Sequence, residues 1–153
     1  MPFHNAAFEA THPPRPLGDA IKRGLLAKCP ACGKGSLFDG YLKVKDVCPS
    51  CGEELHHHRA DDAPPYFTIL IVGHVIVGMV LAVEVEFKPP LWVHFMLWVP
   101  LTIIVALAVL RPIKGAVVGL QWALYMHGFD PEAEPDMPEP EPRPAEAVVR
   151  SLP

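Results

Sequence analysis

The sequence predicts a small β module held by four cysteines, followed by an α-helical membrane hairpin, an interfacial amphipathic helix and disordered tails. Two observations predict this fold class. Two Cys-Pro-x-Cys-Gly motifs lie close together in residues 29–52, and two long uncharged apolar stretches follow them. Of the 19 prolines, most lie in the two tails, so the apolar residues concentrate between residues 66 and 124. Residues 1–18 and 128–153 are therefore predicted to be disordered.

The cysteine module is predicted over residues 19–58. Fifteen residues separate its two Cys-x-x-Cys pairs, a spacing typical of zinc sites. Glycine follows each pair, where a tight turn needs left-handed backbone angles. We expect one structural zinc ion per chain, with iron less favoured. The alternative is a site that exchanges metal or electrons. The predicted ligands are Cys29, Cys32, Cys48 and Cys51.

Between the pairs, the sequence predicts a β-hairpin with its turn at Asp39-Gly40. A short helix that Asp19 caps is expected to precede the first pair. About thirty residues bury too little apolar surface to fold alone, so the metal is expected to stabilise this zinc ribbon.

A polar linker, residues 59–65, joins the ribbon to the first apolar stretch. The histidine run 56–58 before it, with the acids that follow, invites a second metal site, although at most two consecutive histidines converge easily. The simpler interpretation is a helix start that the two aspartates cap, with prolines in the first turn. The motif residues singled out here are His57, His58, Arg59, Asp61 and Asp62.

Residues 66–85 and 91–110 are each long enough to cross a hydrocarbon core of about 30 Å. The connector, residues 86–90, is too short to form a domain, so the two stretches are predicted to form a helical hairpin. Basic residues concentrate outside the connector, so the positive-inside rule places both termini in the cytoplasm. That topology explains the lysines of the ribbon, and no nucleic-acid partner is expected; a membrane-tethered nucleic-acid-binding ribbon is the weaker alternative.

Two histidines fall within the predicted spans. His74 lies near the middle of the first, and His94 lies about one turn into the second. Their depths differ by about 10 Å, which argues against a haem held between them. A copper site with Met79 and Met96 is an alternative, but His94 and Met96 point to opposite sides of a helix. We expect hydrogen bonds to a partner helix.

Residues 111–127 are too short to span again and predict an interfacial helix. Gly115, Gly119 and Ala123 recur every four residues and allow close helix packing. This row of small residues either docks on a partner protein or packs on the hairpin.

The chain resembles the DUF983 family of small bacterial membrane proteins. The resemblance rests on AIKRGLLAKCPACGKGSLF, CPSCGEELHHHRADDAPPYFTILIVGH, LRPIKGAVVGLQW and MHGF, in that order. It implies a zinc-ribbon protein of the bacterial inner membrane, with the four cysteines as ligands. Genes of this family often lie beside those for haem–copper oxidases, which implies cytochrome c oxidase subunits or assembly factors as partners.

The sequence predicts a non-enzymatic membrane protein, and the family resemblance implies that it assembles or stabilises a respiratory complex. A protein that handles metal or electrons through the cysteines is the alternative.

Overall fold

The computed structural model describes residues 12–60 and 62–130. Three α-helices occur in this part of the chain, α1 (Leu17–Leu25), α2 (Ala63–Phe87) and α3 (Leu91–Ala123), with a 3-10 helix at His127–Phe129. The cysteine module lies between α1 and α2. The predictions for residues 1–11, Asp61 and residues 131–153 fall outside the described residues.

Helices α2 and α3 form a hairpin through a three-residue connector. Both are long and apolar enough to cross a membrane. The buried residues of α2 recur every fourth position, which gives one narrow contact stripe: Pro64, Thr68, Val72 and Ile76. The rest of the apolar surface is exposed, for example Ile69 (70%) and Ile104 (64%). A core helix of a water-soluble protein would bury these side chains.

The predicted interfacial helix is not a separate element. Helix α3 runs unbroken from Leu91 to Ala123, with Pro100 and Pro112 inside it. At about 1.5 Å per residue it is about 50 Å long, so it extends well beyond the roughly 30 Å of a hydrocarbon core. The separate helix was predicted because Arg111 and Pro112 interrupt the apolar run, but neither residue ends the helix.

Helix α1 packs across the C-terminal part of α3, where both backbones carry small residues. A Cβ on Gly24 would overlap the Gly115 carbonyl oxygen, and one on Gly119 would overlap that of Ala20. The predicted row of small residues is therefore occupied by a helix of the same chain. This partner was neither of the two expected.

The segment before α1 contacts the end of α3, contrary to the predicted disorder of residues 12–18. The Arg15 guanidinium lies over the rings of Trp122 and Tyr125, at 4.3 and 3.9 Å from their centroids, and donates to the Trp122 carbonyl at 2.6 Å. His12 Nε2 lies 2.7 Å from Asp130 Oδ1. Helix α1 also begins at Leu17 rather than after Asp19, with Pro16 at the N-cap. Asp19 therefore lies in the first turn.

The cysteine module has the predicted turn, but no strand is assigned in the described residues, so the β ribbon is unconfirmed. Its pairings are isolated antiparallel bridges: Lys28 with Ser36, Phe38 with Val44, and Val47 with Glu54. The middle bridge closes the turn that contains Gly40, whose φ is 99°. Each bridge closes a short turn, and the first and third enclose a Cys-Pro-x-Cys-Gly motif.

Candidate metal centre

The two Cys-Pro-x-Cys-Gly motifs fold into matching turns. Gly33 N–H donates to the Cys29 carbonyl at 2.9 Å, and Gly52 N–H donates to the Cys48 carbonyl at 3.0 Å. Both glycines have positive φ, 69° and 77°, which side-chain-bearing residues rarely adopt. Each turn thereby directs both of its sulfurs to the same side.

The four sulfurs converge on one point. The Sγ atoms of Cys29 and Cys51 lie 3.8 Å apart, as do those of Cys32 and Cys48, and all four lie within 4.8 Å of one another. A tetrahedral ion with bonds of about 2.3 Å to thiolate sulfur separates its ligands by about 3.8 Å. The cluster therefore fits one metal ion, and each motif contributes two ligands.

The thiols have unequal environments. Backbone N–H groups of Gly35 and Lys34 stabilise the Cys32 thiolate and lower its pKa to about 6. Burial raises the pKa of Cys29, whose exposed fraction is 0%. Desolvation also raises the pKa of Cys51, whose sulfur faces the cluster although the residue is exposed. A bound cation would stabilise both of these thiolates, because it removes the cost of burying unpaired negative charge.

Helix α1 and Gly35 hold the first motif in place. Arg23 Nη1 donates to the carbonyls of Pro30 and Ala31 at 2.9 and 2.8 Å. A Cβ on Gly35 would lie 2.5 Å from Cys48 Sγ, so only glycine leaves the second motif room to approach.

The metal centre belongs to the core that joins the module to the helices. Cys29 and Cys48 share a buried cluster with Leu37, Leu55 and Val118 of α3. Around it, Trp122 Nε1 donates to Glu53 Oε1 at 2.7 Å, and Arg111 lies over the Phe38 ring at 5.2 Å. The cysteines are thus part of the contact between module and hairpin.

The linker after the module is fastened to the same part of α3. The buried Gln121 amide accepts the Arg59 backbone N–H at 3.1 Å and donates to the Arg59 carbonyl at 3.0 Å. Arg59 therefore reaches the helix through its main chain. Asp62 occupies the N-cap of α2 without a side-chain capping bond, so the predicted cap is wrong for this residue. The prolines do lie in the first turn, as predicted.

A family profile described as "Protein of unknown function (DUF983)" matches residues 38–122, more than half of the chain. The chain belongs to this family. The match includes the second cysteine pair but begins after the first, so it is narrower than the resemblance traced from residue 20 to 129. No curated protein and no solved structure matches the chain.

The histidine run of this DUF983 protein divides into two parts. His58 Nδ1 bonds to the Leu55 carbonyl at 2.9 Å, and His58 is not part of the cluster of ligand atoms that His56 and His57 form. His56 and His57 lie with ring centroids 3.9 Å apart, and their ligand atoms cluster with a Glu54 carboxylate oxygen. Two of the three histidines converge, which agrees with the expected limit of two, but Glu54 was not singled out from the sequence. The signal was available, because Glu54 and His56 flank the apolar Leu55.

The two histidines of the apolar helices differ in their partners. His74 Nδ1 bonds to the Leu70 carbonyl of its own helix at 2.7 Å, so the contact of His74 with a partner helix stays a prediction. His94 confirms that prediction, since its Nε2 lies 3.0 Å from Glu84 Oε2 on α2. Trp98 donates its indole N–H to His94 Nδ1 at 3.1 Å, which leaves the imidazole proton on Nε2, facing Glu84.

Sequence reasoning missed the residues that join the module, and the segment before α1, to the C-terminal part of α3. Gln121, Trp122, Arg15 and Glu53 carry the polar contacts described above. Of these residues, only Gln121 and Trp122 could have been predicted from the sequence, because two side chains with polar groups interrupt an otherwise apolar stripe there. Arg15 lies in a proline-rich segment with no periodicity to indicate its role.

Proposed function

We propose that this DUF983 protein is a non-enzymatic membrane protein in which one structural zinc ion holds a cytoplasmic docking module against a transmembrane hairpin. We expect zinc because it is redox-inert and binds four thiolates in a tetrahedral geometry without strain. Bound there, it would supply a fixed tetrahedral cross-link between the two motifs.

The observation that carries this proposal is the burial of Cys29 and Cys48 in one core with Val117 and Val118 of α3. Loss of metal would leave four thiols packed against one another, two of them in that core. The module would then lose both its internal fold and its contact with the helix. Structural sites typically have four protein ligands and no open position.

The test compares Cys29→Ser with Ser50→Ala, the exposed neighbour of Cys51, in full-length protein from detergent-solubilised membranes. A tag without histidines avoids added metal. Wild type and Ser50→Ala should contain about one zinc per chain, with thiols that resist alkylation until a chelator is added. Cys29→Ser should lose zinc and accumulate at a much lower level. Normal accumulation of zinc-free Cys29→Ser would contradict a structural role.

Exposure of one edge of the cluster favours a second candidate, a site that passes metal or electrons to a partner. Cys51 is exposed and Cys32 half-buried, and the lowered pKa of Cys32 favours its thiolate at neutral pH. Under this alternative, zinc exchanges within minutes with an added chelator, and Cys51→Ser yields a stable protein. Slow exchange together with unstable Cys51→Ser would exclude it.

We further propose that the hairpin spans the bacterial inner membrane with both termini in the cytoplasm. The exposed apolar surface of α2 and α3 supports insertion, and the distribution of Lys and Arg supports this orientation. A fluorescent protein that folds only in the cytoplasm, fused after the last residue, should fluoresce. A dark fusion with an active periplasmic reporter at the same place would reverse the orientation.

Association with a haem–copper oxidase is proposed from the family resemblance alone. If the protein assembles or stabilises that complex, deletion of its gene should lower the haem absorbance of the oxidase in membranes, and the wild-type gene should restore it. Crosslinking in intact cells should join the protein to an oxidase subunit or assembly factor. Unchanged oxidase content in the deletion strain would exclude this role.

A further inference from the structure

We propose that Glu54, His56 and His57 form a second metal site, separate from the four cysteines, that binds a divalent transition-metal ion such as Zn²⁺ and leaves a coordination position open to a neighbouring cavity. One oxygen and two imidazole nitrogens within 4.8 Å of one another make up the donor set. Two histidines and one carboxylate are the protein ligands of several zinc sites that keep a position for water or substrate.

The backbone explains why Glu54 and His56 face the same way. The antiparallel bridge between Val47 and Glu54 holds this segment extended, and the N–H groups of Leu55 and His56 both donate to the Asp46 carbonyl, at 2.7 and 3.1 Å. Side chains alternate across extended backbone. Leu55 is fully buried in the core, so the residues on either side of it point outward together.

His57 joins them because a turn follows and a second segment fixes its ring. A Cβ on Gly128 would overlap His57 Nδ1, and the Phe129 ring meets the imidazole edge-on at a centroid distance of 6.0 Å. The opposite nitrogen, Nε2, lies 3.2 Å from Glu54 Oε2. The nitrogen that faces the carboxylate is therefore the one available to a metal ion, and the 3-10 helix holds it there.

A cavity of about 520 Å³ adjoins the cluster. All three histidines of the run line it, together with residues of the linker, the start of α2 and the 3-10 helix: Arg59, Asp62, Ala63 and Gly128. Polar groups predominate around it, which suits water or a small polar molecule as the remaining ligand. The cavity lies where the cysteine module meets the start of α2, so an ion there would sit beside the membrane end of the module.

Cobalt binding to full-length protein in detergent tests the proposal. The protein is purified through a tag without histidines and keeps its first metal at the cysteines. Wild type should bind one further equivalent of Co²⁺ whose spectrum lacks thiolate-to-cobalt charge transfer. His57→Ala and Glu54→Ala should lose that equivalent and retain the first metal. His74→Gln is the histidine control, because His74 lies on α2 outside the residues that line the cavity, and it should bind like wild type.

Absence of a second equivalent in wild type, its persistence in His57→Ala, or its loss in His74→Gln would overturn the proposal. A second experiment needs only the wild-type protein, so it still tests the site if the alanine variants fail to fold. Diethyl pyrocarbonate modifies accessible histidines, and mass spectrometry locates the adducts. Added Zn²⁺ should protect His56 and His57 while the exposed His127 stays reactive. Equal modification with and without Zn²⁺ would refute the site.

Discussion

Replacing Gly35 with alanine tests the cysteine geometry at one atom. The new Cβ would lie 2.5 Å from Cys48 Sγ and 3.2 Å from Ser50 Oγ. Van der Waals contact between such atoms needs about 3.5 Å or more, so the sulfur has to move by about 1 Å. Metal–ligand distances tolerate only about 0.2 Å. Gly35 does not have the positive φ of Gly33 or Gly52, so the effect is one of packing.

Overpacking of this kind costs about 1–3 kcal/mol, which corresponds to about 5- to 150-fold weaker zinc binding. Competition with a chromophoric chelator measures the affinity in detergent-purified, full-length protein. The matched control is Gly18→Ala, since a Cβ on Gly18 in α1 meets nothing within 4 Å. The control should bind zinc like wild type. If the zinc affinity of Gly35→Ala lies within twofold of the wild-type affinity, Gly35 does not lie as close to Cys48 Sγ as the structure places it.

Three further predictions concern the contacts of the module and its metal. Gln121→Glu replaces the amide donor that faces the Arg59 carbonyl by a carboxylate oxygen, which can only accept. The free energy of unfolding of the detergent-solubilised protein should fall by about 1–3 kcal/mol. An unchanged melting temperature would argue against the pair of hydrogen bonds between Gln121 and the Arg59 backbone. Gly115→Ala should push α1 away from α3 and lower the free energy of unfolding by about 1–3 kcal/mol. Gly78→Ala on α2, where a Cβ meets nothing within 4 Å, should not lower it. Equal melting temperatures of the two variants would contradict the close packing of α1 on α3. The raised pKa values of Cys29 and Cys51 mean that both thiols are protonated at neutral pH without metal, so zinc binding releases their protons. The zinc affinity, measured by chelator competition, should therefore rise by at least about a hundredfold from pH 6 to pH 7. A zinc affinity that does not change with pH would refute the raised pKa values of the two thiols.

The sequence by itself determined the parts that depend on local spacing and on composition. Two Cys-x-x-Cys pairs with a following glycine specify turns that present both sulfurs on one side, so the four-cysteine cluster was predictable. The two uncharged stretches are long enough to specify helices that could cross a membrane. The turn around Gly40 followed from Asp-Gly between apolar residues, because that dipeptide accepts the required backbone angles.

The tertiary structure decided where those parts meet. Arg111 and Pro112 interrupt the apolar pattern, yet the helix continues through them, because the module and α1 pack on residues 115–123 and supply the contacts that the pattern lacked. The partner of the small-residue row was undetermined for the same reason: Gly115 accepts any close backbone, and only chain topology brings Gly24 to it. The convergence of Glu54, His56 and His57 also depends on distant residues, since Gly128 and Phe129 fix one of the three side chains. Local sequence therefore determined the cysteine turns and the apolar helical stretches, whereas long-range packing determined how far α3 extends and which side chains face one another.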